Sequence, residues 1–197
     1  MKTATESQNG RQCGTAPLQA TNGASPVSVS VLGRPGAITW VGLDTGKTTG
    51  WAWRTPDGRR QCGVWQLAPK GVLDPGLWVA TLRAEMTELL EALALVHVGR
   101  IAVAYEHPSH HAGTRAGQIF GAWWGTLLLV RQDAGVSLVP ANVAQWGAWA
   151  GIRGKHKERK AQSPGIARAR GWEPCDDNAA DAALILEWAA AHAEVTR

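Results

Sequence analysis

Carboxylates at the ends of two predicted strands are the residues of this 197-residue chain best placed to do chemistry. Asp44 ends an apolar stretch that begins at Ile38, directly before a Thr-Gly turn, and Glu106 ends a second apolar stretch, directly before His107 and Pro108. In α/β sheets, ligands bind beyond the carboxyl ends of the strands. Because alternate residues of a strand share a face, each carboxylate shares its face with apolar neighbours and needs a compensating partner.

A third acidic element is the segment Asp177-Asn-Ala-Ala-Asp181. Helical positions four apart stack on one face, and Leu184, Ile185 and Trp188 continue the stripe of Asp181 towards a core. A carboxylate on an apolar stripe is destabilising unless a cation or a donor compensates it. Convergence of the strand-end and helical carboxylates on divalent metal ions would supply that compensation, together with a catalyst for phosphodiester hydrolysis.

Each of these acidic residues also has an ordinary structural interpretation. Asp44 precedes a glycine turn and can be a turn former, Glu106 can pair with an arginine, and Asp177 can be a helix N-cap. Taken singly, each of these interpretations is sufficient to explain its residue. Taken together with the strongly basic segment that lies between Glu106 and Asp177 in the chain, the acidic residues favour a metal site that acts on a polyanion.

The basic segment spans residues 151–170, with seven Lys and Arg residues and one acidic residue, in a chain whose net charge is +4. A basic block on an otherwise slightly acidic body indicates a polyanionic partner, most simply nucleic acid, and a solvated charged face is the alternative. The candidate DNA-binding residues are Arg153, Lys155, Lys157, Arg159 and Lys160.

The elements that position these residues follow from the periodicity of the chain. Residues 1–36 are rich in small polar residues without apolar periodicity, which predicts a disordered tail and leaves 37–197 as one domain. Strands at 38–44, 49–54 and 60–67 form an antiparallel meander, with a turn at 55–58. The amino terminus has no apolar stretch after Lys2, so we expect no secretory signal and a cytoplasmic protein without membrane attachment.

The second half of the domain alternates helices and strands. Helices are predicted at about 77–97 and 117–131, strands at 101–106 and 136–140, and a short helix at 141–150. Strands that alternate with helices favour an α/β fold in which parallel strands extend the meander. Ser163 and Pro164 predict a helix N-cap and first helical residue, and Asp176 or Asp177 caps a last helix that reaches His192.

Several short segments occur in one order across residues 38–192. They are Val41-Gly-Leu-Asp44-Thr-Gly, Thr49-Gly-Trp51, Ala104-Tyr-Glu106, Val139-Pro-Ala-Asn-Val143 with Gly151-Ile-Arg-Gly-Lys-His-Lys157, and Asp177-Asn-Ala-Ala-Asp181-Ala. As an ordered set they resemble the RuvC-like Holliday junction resolvases of the ribonuclease H-like superfamily, particularly the phage-type branch. The resemblance implies a five-stranded mixed sheet flanked by helices and a homodimer. It also implies two Mg²⁺ or Mn²⁺ ions per active site and paired symmetric nicks in four-way DNA junctions.

Carried over residue by residue, the resemblance implies that Asp44, Glu106 and Asp181 are metal ligands. It further implies that a lysine of the basic segment, Lys157 or Lys160, contacts the scissile phosphate. These five residues and Asp177 are the candidate catalytic residues.

The last helix departs from the family pattern, which usually pairs carboxylates three residues apart. The residue three before Asp181 is Asn178, whose amide oxygen can bind a metal ion without contributing charge. Asp177 can replace the missing carboxylate if the neighbouring Asp176 caps the helix. We therefore expect Asp177 as the fourth metal ligand, with Asn178 as the alternative.

Two other function classes fit parts of the sequence. A nucleotide-binding fold of the actin and sugar-kinase type also opens with a strand, an Asp and a Gly/Thr turn, but it needs two such domains. A catalytically silent DNA-binding module would use the basic segment alone, with structural carboxylates. For the homodimer, we expect the contact on an aromatic helix face made of Phe120, Trp123, Trp124 and Leu127.

Overall fold

The computed structural model describes residues 37–69, 71–72, 74–108, 113–154 and 156–192. The predicted disordered tail, residues 1–36, lies outside the described residues, as do Lys155 and the side chain of Lys157. Among the described residues, no helix combines the length and the apolar character needed to cross a membrane.

Five strands form one mixed sheet in the order β3-β2-β1-β4-β5. The first three are antiparallel to one another, and β4 and β5 extend the sheet in parallel with β1. The meander and the parallel extension predicted from the sequence are therefore confirmed. The strands are β1 Ile38–Asp44, β2 Thr48–Arg54, β3 Arg60–Gln66, β4 Arg100–His107 and β5 Ser137–Asn142.

Five helices cover the two faces of this sheet. They are α1 Pro75–Val96, α2 Thr114–Ala134, α3 Val143–Ala150, α4 His156–Ala169 and α5 Asp177–His192. One face packs on α1 and α2 through a core that contains Val41, Leu43 and Tyr105. The opposite face packs on α5, which α3 and α4 flank, and includes Trp40 and Ala104. Alternate residues of β1 and β4 thus serve different cores, as strand periodicity requires.

Helix α5 lies unusually close to the centre of the sheet because glycines face it. A Cβ atom on Gly42 would overlap the backbone of Ala182, and one on Gly50 would overlap the backbone of Asn178. Small residues on the helix, such as Ala179 and Ala183, are fully buried at this contact. The close approach fixes the height of the amino-terminal end of α5 above β1 and β2.

The prediction that a helix starts at Ser163 and Pro164 was wrong. Helix α4 begins at His156 and contains Pro164 in its interior. Ser163 is only 1% exposed and donates a hydrogen bond to the carbonyl of Arg159 at 3.3 Å. Proline removes one backbone donor from a helix. Packing against α5 outweighs that loss, because Ser163 and Ala167 are both buried on the side of α4 that contacts α5.

The aromatic face of α2 serves the core of its own chain. Trp123 and Leu127 are buried, and Phe120 and Trp124 pack against the same core. Trp124 lies 5.2 Å from Tyr105 of β4, measured between ring centroids. Trp123 and Leu127 are therefore unavailable to a second chain, so that part of the expected dimer contact was wrong. Phe120 and Trp124 are half-buried, and their part in a dimer contact stays a prediction.

Candidate active site

Asp44 and Glu106 lie side by side at the carboxyl ends of β1 and β4. In the parallel pairing of these strands Leu43 is opposite Tyr105, and each carboxylate follows directly after that pair. Leu43 and Tyr105 point into the core under α1 and α2, so the two carboxylates point to the other face, towards α5. The strand-end arrangement predicted from the sequence is confirmed.

Asp181 reaches the same place from above the sheet. It belongs to the second turn of α5 and is 8% exposed, and its Oδ1 atom has no hydrogen-bond partner among the described residues. The close contact of α5 with Gly42 and Gly50 holds it over the ends of β1 and β2. Three carboxylates from three separate elements therefore face one space.

That space is an open cavity of about 430 Å³ between the sheet edge, α3, α4 and α5. Carboxylate, amide, hydroxyl and cationic groups all contribute to it. Its polar and charged lining consists of Asp44, Thr45, Thr48, Glu106, Arg159, Lys160, Ser163, Asn178 and Asp181.

Burial and mutual repulsion make it difficult to ionise all three carboxyl groups together. Burial, followed by the charges of Glu106 and Asp181, raises the pKa of Asp44 well above its usual value. Burial and the charge of Asp181 raise the pKa of Glu106 to about 7. Burial raises the pKa of Asp181 to about 6, although the neighbouring Ser163 hydroxyl and the charge of Lys160 act in the opposite direction. Such shifts on grouped acids in a cleft are typical of functional sites.

The beginning of α5 separates the roles of three neighbouring residues. The Oδ1 atom of Asp176 accepts a hydrogen bond from the backbone amide of Ala179 at 2.8 Å, so Asp176 caps the helix. The Oδ2 atom of Asp177 forms an ion pair with Nζ of Lys160 at 2.6 Å. Lys160 also donates to Oδ1 of Asn178 at 3.1 Å. Asn178 lines the cavity, whereas Asp177 is not among the lining residues.

The basic residues divide in a similar way. Arg159 and Lys160 line the cavity, and Arg159 also donates to the carbonyl of Val143 at 3.3 Å, which ties α4 to the start of α3. Arg153 is exposed outside the cavity, and its backbone is hydrogen-bonded to the side chain of Gln162. Of the three candidate DNA-binding residues whose side chains the structure describes, Arg159 and Lys160 lie beside the carboxylates and Arg153 does not.

Neither family models nor curated proteins match this chain. Among solved structures, RuvC of Thermus thermophilus in complex with a Holliday junction substrate is 21% identical, with a TM-score of 0.54. The match covers 77% of this chain and 92% of RuvC. The chain has a RuvC-like fold. A second Thermus thermophilus RuvC structure agrees, at 18% identity and a TM-score of 0.53, over 78% of this chain and 95% of RuvC. The five-stranded mixed sheet is accordingly the ribonuclease H-like sheet expected from the sequence.

The donor atoms that line the cavity suit a hard divalent cation. Carboxylate and amide oxygens are the ligands that Mg²⁺ and Mn²⁺ prefer. The Oδ1 atom of Asp181 has no hydrogen-bond partner among the described residues, and a cation could bind it. As they stand, the described residues contain no group of three or more His, Cys, Asp and Glu side chains that could hold a metal ion. The type of donor atom is what fits the ion, and Asp44, Glu106, Asp181 and Asn178 are the residues that would hold it.

Several residues that line the cavity were not predicted from the sequence. Thr45 and Thr48 line it because the turn after β1 folds back beside Asp44, where Thr49 donates a hydrogen bond to the carbonyl of Gly46 at 2.7 Å. Their nearness to Asp44 in the sequence was an available signal. Ser163 was assigned to a helix cap, yet it lies one turn after Lys160 on α4 and faces Asp181.

Proposed function

We propose that this protein is a metal-dependent, structure-specific endodeoxyribonuclease that resolves four-way DNA junctions by paired symmetric nicks. The observation that carries the proposal is the convergence of Asp44, Glu106 and Asp181, from β1, β4 and α5, on one cavity that also contains Lys160. The RuvC-like fold supports the choice of substrate, because one matching RuvC structure holds a Holliday junction.

Each group of the cavity has a role in this proposal. The three carboxylates, with the amide oxygen of Asn178, would hold Mg²⁺ or Mn²⁺, two ions per active site. A bound ion supplies an activated water and stabilises the leaving oxygen during phosphodiester hydrolysis. Lys160, which lines the cavity and has a partly exposed side chain, would hold the scissile phosphate in place. The guanidinium of Arg159 would add a second positive charge beside it.

The basic segment extends the proposed DNA contact beyond the cavity. Arg153 is exposed next to it, and Lys155 and Lys157 precede Lys160 in the chain. We expect these residues to neutralise phosphates of the junction arms. Replacing Arg153, Lys155 and Lys157 with Gln should flatten the salt dependence of junction binding, with a slope change of up to about 0.9 per lost phosphate contact. An unchanged slope would identify the segment as a solvated face.

Paired symmetric cutting requires two active sites related by a twofold axis, so a homodimer is part of the proposal. A cytoplasmic location is also part of it, because the DNA substrate of a bacterial or phage-infected cell lies there.

The experiment that tests the activity uses a synthetic four-way junction and a linear duplex of the same sequences. With Mg²⁺ we expect nicks in the junction at symmetric positions, little cleavage of the duplex, and no cleavage in EDTA. The matched control is Asp44→Asn, which removes one charge from the cavity and changes the side chain little in size. Cleavage in EDTA, or equal cleavage by the variant, would contradict a metal-dependent site at these carboxylates.

The same experiment separates the alternatives. A catalytically silent DNA-binding module would bind the junction and leave it intact with either Mg²⁺ or Mn²⁺. An actin-like or sugar-kinase-like nucleotide-binding domain would bind ATP and would not distinguish the junction from the duplex. The convergence of three carboxylates on one cavity favours the nuclease over a silent DNA-binding module, because grouped acids would repel the phosphates of bound DNA unless metal ions lay between them.

A further inference from the structure

The first turn of α5 holds the side chain of Lys160 in place. Its Nζ atom lies 2.6 Å from the Asp177 carboxylate and 3.1 Å from the Asn178 amide oxygen. The Lys160 and Asp177 side chains are 37% and 33% exposed, so the ion pair lies at the rim of the cavity and is only partly screened by water. Two acceptors from adjacent residues restrict the position of a side chain that otherwise has many rotamers.

Asp177 itself lies outside the group of carboxylates. It does not line the cavity that Asp44, Glu106 and Asp181 share. Asp176 already satisfies the backbone amide of Ala179, so Asp177 is not needed as the cap. The side chain of Asp177 contacts Lys160, and this ion pair explains why an acidic residue lies at this position.

We propose that Asp177 is a positioning residue that fixes the Lys160 ammonium over the cavity, and that it does not ligate metal. This inference rests on the proposed function, because it assigns to Lys160 the contact with the scissile phosphate. It also assigns the fourth position of the metal site to Asn178, whose oxygen lines the cavity.

The consequence is a division of charge within the site. Asp44, Glu106 and Asp181 carry the negative charge that binds metal, whereas the charge of Asp177 is directed at one lysine. Removing Asp177 should therefore act only through Lys160. Residues that act through one another show non-additive effects, which a double-mutant cycle measures directly.

The test compares wild type, Asp177→Asn, Lys160→Gln and the double variant. Asp181→Asn is the reference variant that shows the effect of losing a metal ligand. Junction cleavage gives kcat and KM, and calorimetry without DNA gives the Kd of Mn²⁺. Asp177→Asn should lower kcat about 10-fold, the usual size of an effect on a supporting residue. It should leave the Mn²⁺ affinity close to that of wild type, and it should have no further effect on kcat in the Lys160→Gln background. Asp177→Glu should recover part of the lost rate.

Two results would overturn the inference. One is a loss of Mn²⁺ affinity in Asp177→Asn comparable to that in Asp181→Asn, which would make Asp177 a ligand. The other is an equal loss of kcat from Asp177→Asn with and without Lys160. Thermal unfolding of each variant controls for folding, and Asp177→Ser replaces Asp177→Asn if that variant unfolds. A wild-type protein that binds Mn²⁺ without cleaving the junction would instead contradict the proposed function, and this inference would fail with it.

Discussion

The chemistry of the site begins with three carboxyl groups that are more buried than is usual for charged side chains. Asp44, Glu106 and Asp181 each lose hydration and repel one another, and their pKa values are raised accordingly. An isolated buried charge is strongly destabilising unless a partner compensates it. Lys160 compensates part of the charge, and a divalent cation would compensate more. In the proposed function, the lower stability of the free protein is the cost of affinity for a cation.

The first prediction concerns the three carboxylates as metal ligands. Asp44→Asn, Glu106→Gln and Asp181→Asn should each reduce junction cleavage to background, because each removes a ligand and its charge. Junction binding should stay the same or become tighter, because negative charge facing the phosphates is lost. Gel-shift and cleavage assays on the same preparations check both expectations. A parallel loss of binding and cleavage would indicate that the residue supports the fold instead.

The second prediction concerns the stability of the metal-free protein. The folded pKa values of Glu106 and Asp181, about 7 and about 6, lie above the unfolded values, so the folded state binds more protons between about pH 4 and pH 7. Stability should therefore fall as the pH rises through this range, by up to about 1.4 kcal/mol for each unit of pKa difference. Thermal unfolding in EDTA at about pH 5 and pH 8 measures the change.

Asp181→Asn is the matched variant for that measurement. It removes one of the raised carboxyl groups, so it should raise the Tm at the higher pH and weaken the pH dependence. A wild-type Tm that increases with pH, or a variant with the wild-type pH dependence, would show that the three carboxylates do not interact as the structure indicates.

At the residue scale, the sequence was sufficient to predict where Asp44, Glu106 and Asp181 meet, because strand ends and helix periodicity determine it. It was not sufficient to separate Asp177 from Asn178. That distinction depends on which residue caps α5 and on Lys160, which is 17 residues away from Asp177 in the chain. Neither is a local property of the segment.

At the scale of elements, the position of the site depends on the contact between α5 and the sheet. Gly50 faces the backbone of Asn178, and any side chain there would displace the helix that carries Asp181. The third prediction is that Gly50→Ala destabilises the protein by about 1–3 kcal/mol, the usual effect of overpacking, and reduces cleavage. The measurements are denaturant unfolding and junction cleavage.

Gly165 provides the control for that substitution. It is an exposed residue of α4, and a Cβ atom there would meet nothing within 4 Å. Gly165→Ala should leave cleavage intact and increase stability by up to about 1 kcal/mol, because alanine favours the helix. If both substitutions had the same effect, the close approach of α5 to the sheet would not be what positions the site.

Most elements were predictable because their apolar periodicity agrees with their packing. Helix α4 was not, since its first half is polar and its proline resembles a helix start. The helix forms there because Ser163 and Ala167 are buried on its inner side, against α5. The expectation about α2 failed in part for the same reason: the periodicity showed that its aromatic face is apolar, but not that the same chain buries Trp123 and Leu127.

At the scale of the whole molecule, the proposed homodimer needs a surface that the fold leaves available. The outer side of α2 presents Leu128 and Leu129, which are 39% and 52% exposed, beside Gly121 and Gly125, where a Cβ atom would meet nothing within 4 Å. The fourth prediction is that Leu129→Glu produces folded monomers that do not make paired nicks. Light scattering measures the mass.

Leu95→Glu on α1 is the control, because Leu95 is 89% exposed and lies on a different helix. It should leave the mass and the paired cleavage unchanged. A wild-type protein with a mass near 21.0 kDa at micromolar concentration would contradict the homodimer, whatever the variants do.

The proposed activity is paired, metal-dependent cutting of a four-way junction, and a plasmid that extrudes a cruciform distinguishes paired cuts from single ones. Paired cuts across the base of the cruciform convert the supercoiled plasmid to linear DNA in one binding event, whereas single cuts leave an open circle. With Mg²⁺ we expect linear product from wild type and none from Asp44→Asn. An intact plasmid under conditions in which the protein binds the cruciform would contradict the claim.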